Sequence, residues 1–179
     1  MKTYIFVDLD ETLIHTFVYP EEPCKLSQLV VVDNFKCDTT LRPGALEFLA
    51  ELRKRGETYM LTIATKEYAL EMNRVFSLGF PEERIYSRKD VANLSVDLVP
   101  AERSVLFDNL SRHENRKKIE FLRKTCRTRI PEYIQVQEYL GGEEFPFSPV
   151  KIKELLKQLD EPNRTVEKDT KRTLDDLQW

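Results

Sequence analysis

Short uninterrupted apolar runs alternate along this chain with segments whose apolar residues recur every three or four positions. These are the periodicities of buried strands and of helices with one buried face. The first run, Tyr4-Ile5-Phe6-Val7, leads directly into Asp8, and a run apolar at every position predicts a strand buried on both faces, as in the middle of a parallel sheet. Residues 14 to 27 read as irregular because they contain Pro20 and Pro23. Leu29 to Val32 and Phe35 to Leu41 flank Asp33-Asn34, a hairpin signal. Arg42-Pro43-Gly44 then opens a helix with Ala45, Phe48, Leu49 and Leu52 on one face and Gly56 as its stop. Thr58 to Ala64 is the next strand, ending at Thr65, and a helix from about Glu67 to Leu78 follows, with Tyr68, Met72, Val75 and Phe76 inward. Arg84 to Ser87 reads as a short third strand, and Ser104 to Phe107 as a buried one that again runs into an acid, Asp108. A helix from about His113 to Thr125 is predicted to turn Ile119, Leu122 and Cys126 inward. Tyr133 to Gln137 is a fifth strand, and Pro149 to Leu159 a closing helix that buries Ile152, Leu155, Leu156 and Leu159.

Strands alternating with helices predict an α/β fold, a three-layer arrangement with a central, mostly parallel sheet. A small β-hairpin flap, residues 14 to 41, interrupts it after the first strand. Residues 1–160 form one domain on this reading, and 161–179 a polar tail in which apolar residues are scarce before Leu174. Leu174, Leu177 and Trp179 are the tail's candidates for docking elsewhere.

Composition narrows the class. Charged residues make up 33% of the chain and the hydrophobic set 41%, the balance of a soluble globular domain. No apolar run reaches the roughly 18 to 20 residues of a membrane span, and Met1-Lys2-Thr3 leads straight into the first strand with no signal peptide. Cys24, Cys37 and Cys126 are far apart without a Cys-x-x-Cys pair, so they read as free thiols in a reducing cytoplasm and no zinc site is expected. His15 and His113 are the only histidines, which leaves little for a histidine mechanism. The net charge of −3 conceals a basic stretch between Arg112 and Arg129, where eight Lys or Arg residues stand against Glu114 and Glu120. That stretch reads either as a solvated helix face or as a track for a polyanion.

The candidate chemistry lies at the strand ends. Asp8 and Asp10, at i and i+2 beyond a buried strand, repel each other and would favour protonation of one unless a cation neutralises them. Hard oxygen ligands of this kind suit Mg²⁺, and Thr12 adds a hydroxyl on the same turn. Thr65 ends the second strand before a helix, where a hydroxyl and the helix N-terminus suit a phosphate oxygen, though a threonine there is equally a good N-cap. Asp8, Thr65 and Asp108 thus occupy C-terminal ends of strands, the edge at which open α/β sheets bind ligands.

Asp8-Leu9-Asp10-Glu11-Thr12-Leu13 after an apolar run resembles the signature of the haloacid dehalogenase-like (HAD) superfamily. Leu41-Arg42-Pro43-Gly44-Ala45-Leu46-Glu47-Phe48-Leu49 is similar to the segment after the flap in the branch of RNA polymerase II C-terminal-domain phosphatases and NLI-interacting-factor-like proteins. Val105-Leu106-Phe107-Asp108-Asn109 resembles that branch's fourth motif, although Leu110-Ser111 replaces its usual Ser-Pro. The resemblance covers residues 3 to 160. It implies a Mg²⁺-dependent phosphomonoester hydrolase with Asp8 as nucleophile, Asp10 as acid/base, and Asp8, Asp10, Asp108 and Asn109 around the metal. Asn109 is the likelier direct ligand in that branch. Thr12, Thr65 and Lys89 are the implied phosphate contacts. Aligning Tyr68-Ala69 with the branch's Tyr-Ala selects Thr62 in place of Thr65, and Arg88 is the alternative to Lys89. Without a large cap the site suits a macromolecular substrate, a phosphoprotein or a nucleic-acid end. A small-metabolite or nucleotide phosphatase and a non-catalytic phosphate-binding module are the alternatives. A cytoplasmic protein with no membrane contact is expected.

Overall fold

The computed structural model describes residues 2–17, 25–32, 34–94, 96, 98–128 and 130–161. Five strands, β1 (Thr3–Val7), β5 (Glu57–Leu61), β6 (Ile85–Tyr86), β7 (Arg103–Asp108) and β8 (Glu132–Gln135), form one sheet in the order β6-β5-β1-β7-β8. Every neighbouring pair in it is parallel. β1 is therefore central, which is why its residues are apolar without alternation. Ile5 and Val7 face a core shared with Phe48, Leu49 and Leu52 of α1 (Ala45–Arg53), Met72 of α2 (Lys66–Val75) and Leu155 and Leu159 of α5 (Pro149–Asp160). Tyr4 and Phe6 face the opposite core with Tyr59, Tyr86 and Leu106. Val91 of α3 (Arg88–Asn93) and Phe121 and Leu122 of α4 (Arg116–Thr125) cover that side. The second core is aromatic at its centre: Phe6 stacks on Tyr59 at 5.1 Å and Tyr59 on Tyr86 at 5.7 Å.

The flap is larger than a hairpin. β2 (Ile14–Phe17), β3 (Gln28–Val32) and β4 (Phe35–Leu41) make an antiparallel sheet in the order β2-β4-β3. The start of the stretch expected to be irregular is thus a regular strand. It pairs with the second edge of the seven-residue β4, Ile14 opposite Leu41. The prolines behind that expectation, Pro20 and Pro23, lie outside the described residues, as do Asp33, Cys24 and the tail beyond Glu161. A second addition is α3, which begins in the sequence at a capping box: the Asp90 carboxylate accepts from the Ser87 amide at 2.8 Å and the Ser87 hydroxyl at 2.9 Å.

Arg42-Pro43-Gly44 does more than open α1. The Arg42 guanidinium, 1% exposed, donates to the carbonyls of Thr12 (3.1 Å), Gln137 (2.8 Å) and Phe145 (2.7 Å). It also lies 4.1 Å from the Phe147 ring centroid. Burial lowers its pKa to about 10, so the charge survives and the turn after β1 is fastened to the segment that leads into α5. Gly44 has φ 80°, and a Cβ there would sit 2.1 Å from the Phe147 carbonyl oxygen. Gly44→Ala is accordingly expected to destabilise the fold by roughly 2–4 kcal/mol in urea unfolding, from left-handed strain and a clash with backbone that cannot move away.

Candidate active site

Because β1 and β7 pair in parallel with Val7 opposite Phe107, the residues that follow emerge side by side at the C-terminal edge of the sheet. The Asp8 amide donates to the Phe107 carbonyl at 2.9 Å, extending the ladder by one residue and fixing Asp8 beside Asp108. Both are buried, at 5% and 0% exposure. Asp108 is fully engaged: Oδ1 accepts from the Leu110 amide at 2.9 Å and Oδ2 from the Lys118 ammonium at 2.7 Å.

Lys118 is the residue that sequence reasoning assigned to the basic surface run, and it stands at the centre of the site. Its Nζ lies 2.7 Å from both Asp8 Oδ1 and Asp108 Oδ2, and its side chain is 3% exposed. The predicted inward face of α4 is corrected here. Leu122, and Cys126 just past the end of the helix, are buried as expected, but Lys118, Phe121 and Thr125 are buried as well and Ile119 is only half-buried. A helix carrying an ammonium at its first core-facing position delivers that charge to the sheet edge while Phe121 and Leu122 anchor it from below. Burial works against the charge on Lys118, but Asp8 and Asp108 outweigh it and hold its pKa above the usual lysine value.

Asp10 takes a hydrogen bond at Oδ1 from the Tyr68 hydroxyl at 2.7 Å, and Tyr68 is itself within 2.6 Å of the Thr16 hydroxyl on β2. Thr62 also bonds the Asp10 carboxylate. Burial raises the Asp10 pKa, and these bonds oppose the rise. For Asp8, burial first and then Asp108 and Asp10 raise the pKa to about 7 against the pull of Lys118. Thr12 donates to Asn109 Oδ1 at 3.3 Å, tying the turn after β1 to the turn after β7.

Asp8, Asp10, Thr12, Asp108 and Asn109 are thus brought together, whereas Thr65 and Lys89 are not. β5 ends at Leu61, earlier than the sequence pattern suggested, so Thr62 is the buried hydroxyl at the strand end. Thr65 is exposed and serves as the N-cap of α2, accepting from the Tyr68 amide at 3.3 Å. Lys89 is exposed on the first turn of α3, and the Nε of neighbouring Arg88 donates to the Ile63 carbonyl at 2.7 Å. Tyr68 and Lys118 are site residues to which the sequence pattern assigns no part in the chemistry.

Among the described residues, no three His, Cys, Asp or Glu side chains come together as a metal cage. The donor set is nonetheless one of hard oxygens, with three carboxylates against one ammonium. One carboxylate, a main-chain carbonyl and an amide oxygen, completed by water, is the sparse protein set that Mg²⁺ accepts.

No curated protein matches the chain significantly. Solved structures that share the fold include two of Fcp1. One is Fcp1, an essential RNA polymerase II CTD phosphatase, with a TM-score of 0.53 and 20% identity over 99% of this chain. The other is a variant of fission yeast Fcp1 bound to beryllium fluoride, with a TM-score of 0.52 and 20% identity over 98% of this chain. The chain spans little more than half the length of these proteins, 55% and 56%. The family described as NLI interacting factor-like phosphatase matches residues 3–123, from β1 through most of α4. The chain therefore belongs to the NLI interacting factor-like phosphatase family.

Proposed function

We propose that the protein hydrolyses phosphomonoesters through an aspartyl-phosphate on Asp8, in a domain formed by residues 1–160. The observation that carries this reading is a buried carboxylate at the central strand end, gripped on one oxygen by Lys118 and flanked by a second carboxylate, Asp10, with its own hydrogen-bond partners. In the first step the other Asp8 oxygen attacks phosphorus in line. The bond from phosphorus to the ester oxygen breaks as Asp10 delivers its proton to that oxygen. In the second step Asp10 removes a proton from water, the water oxygen bonds to phosphorus, and the Asp8–phosphorus bond breaks to release phosphate. Lys118 and Thr62 supply donors for the phosphoryl oxygens, and Lys118 favours the ionised, nucleophilic form of Asp8 against the effect of burial.

The residues that would hold Mg²⁺ are the Asp8 carboxylate through the oxygen not bonded to Lys118, the Asp10 carbonyl and the Asn109 side chain, whose oxygen has only the long 3.3 Å bond from Thr12; each Asp108 oxygen accepts a shorter bond, from the Leu110 amide or from Lys118. Bound there, the cation supplies positive charge that screens the carboxylates and the phosphoryl group. Phosphate release from p-nitrophenyl phosphate should vanish with a chelator and return with Mg²⁺. Hydrolysis that resists chelation contradicts the proposed metal set.

The flap is a three-stranded sheet rather than a cap domain, and a site of this kind is open to a polypeptide. Fcp1 is a phosphatase of the RNA polymerase II CTD, which favours a phosphoprotein substrate. No helix of the described residues is long and apolar enough to cross a membrane; a cytoplasmic location belongs to this proposal.

Tyr68 gives the mechanism a pH signature. Its hydroxyl favours the ionised form of Asp10, so Tyr68→Phe raises the Asp10 pKa. Because the first step needs Asp10 protonated, the alkaline limb of kcat/KM should move to higher pH, while the maximum falls about tenfold through lost orientation. A pH–rate profile checks both.

A further inference from the structure

The loop that presents Thr62 continues into Ile63, an aliphatic residue 52% exposed. Ile63 forms one end of a groove of about 670 Å³ between α3 and α4, floored by Val91, Ala92 and Leu94 and rimmed by Arg88, Arg116 and Lys117. The remaining lining residue, Glu120, does not cancel this charge, because its carboxylate is held by Arg123 at 2.9 Å and Lys124 at 3.2 Å. Arg116 and Lys117 are exposed and make no ion pair among the described residues. Five cations of the basic stretch therefore divide three ways: Lys118 inside the site, Arg123 and Lys124 committed to Glu120, and Arg116 and Lys117 beside an aliphatic floor.

We propose that this groove is a second binding site for the phosphorylated substrate, receiving an aliphatic side chain with an acidic group beside it. The inference rests on the phosphatase reading and specifies its substrate. The floor decides between polymers: sites for single-stranded nucleic acid join a cationic groove to aromatic faces on which bases stack, and none of the groove's lining residues is aromatic. An aliphatic floor within a cationic rim instead complements an acidic polypeptide segment. The groove begins one residue from Thr62, and an extended chain advances about 3.3–3.6 Å per residue. An anchoring side chain about two to four residues from the phosphorylated one, roughly 7–14 Å along an extended chain, is the spacing that such a groove beside the site calls for.

The test uses the full chain, p-nitrophenyl phosphate and two sets of phosphoserine peptides, with Leu-Glu or Gly-Lys placed two to four residues to either side of the phosphoserine. A 5′-phosphorylated oligothymidylate is the polyanion control. Ala92→Trp fills the exposed part of the groove, and Arg116→Glu with Lys117→Glu reverses its rim. The unaltered protein should prefer one Leu-Glu peptide by about tenfold or more in kcat/KM, the scale of two or three rim contacts. Both variants should erase that preference while hydrolysing p-nitrophenyl phosphate within about twofold of the unaltered rate. Equal kcat/KM for the two peptide sets, or equal loss on peptide and small ester, overturns the groove and leaves the phosphatase reading standing. A preference for the oligothymidylate that the rim variant abolishes overturns it in favour of nucleic acid. Failure of the unaltered protein to hydrolyse p-nitrophenyl phosphate overturns both readings.

Discussion

Lys118→Met is expected to lower kcat/KM for a small phosphomonoester by about 10²–10³ or more, the usual effect of removing one charged donor from a preorganised site. Lys89→Met, on the exposed face of α3, should stay within about twofold. The contrast follows from position: Lys118 lies 2.7 Å from Asp8 and from Asp108, whereas Lys89 faces solvent. Removing Lys118 also leaves two buried carboxylates without their cation, which costs on the order of 3–5 kcal/mol. That loss has a definite pH dependence. A carboxylate whose folded-state pKa is raised binds more protons in the native than in the unfolded chain, so stability falls as pH rises through the interval between the two values. For Asp8 in the unaltered, metal-free protein that interval runs from 3.8 to about 7. Without Lys118 its upper limit moves higher still. Denaturant unfolding should therefore show the deficit of Lys118→Met to be larger at pH 8 than at pH 5. Lys118→Arg, which keeps the charge but not the compact ammonium, should recover stability better than turnover.

Asp8→Asn should abolish turnover, by about 10⁴-fold or more, because the amide oxygen cannot form the phosphoenzyme. The fold should survive without loss. The substitution is nearly isosteric, removes a charge that burial disfavours, and leaves Lys118 paired one to one with Asp108. Thermal unfolding of the metal-free protein near pH 7.5 should therefore give a Tm no lower than that of the unaltered chain. A large drop in Tm would mean that the Asp8–Lys118 pair stabilises the fold more than burying the charge of Asp8 costs.

The acidic half of the site was legible because apolar strands that run straight into aspartates announce a charged sheet edge, and Asp8 and Asp108 are the residues at that edge. Lys118 was hidden in a run of basic residues, where Arg116-Lys117-Lys118 looks like any solvated face. Its signal was there in helical phase: Lys118, Phe121, Leu122 and Thr125 recur at i, i+3, i+4 and i+7. The set Ile119, Leu122 and Cys126 is also periodic, and Leu122 and Cys126 are indeed buried; only packing against Tyr86 and Leu106 turns Lys118 and Phe121 inward in place of Ile119. Thr65 was favoured over Thr62 because the apolar pattern runs on through Ile63 and Ala64. Hydrogen bonding of the Thr62 amide to the Tyr86 carbonyl brings the chain to the sheet edge three residues sooner and leaves Thr65 to cap α2. β2 escaped because a strand that gains its partner across a sequence gap, Ile14 opposite Leu41, carries no local mark of that pairing.

The central claim, a covalent phosphoryl group on Asp8, is tested most directly by trapping it. Asp10→Asn, which can neither donate the first proton readily nor activate water, should accumulate the phosphoenzyme when given Mg²⁺ and a monoester with a good leaving group such as p-nitrophenyl phosphate. Acid quench, proteolysis and mass spectrometry should then place one acyl-phosphate within the peptide that contains Asp8, labile at alkaline pH and absent from the Asp8→Asn/Asp10→Asn double variant. A phosphoryl group on any other residue, or steady turnover with none trapped under these conditions, would contradict the account.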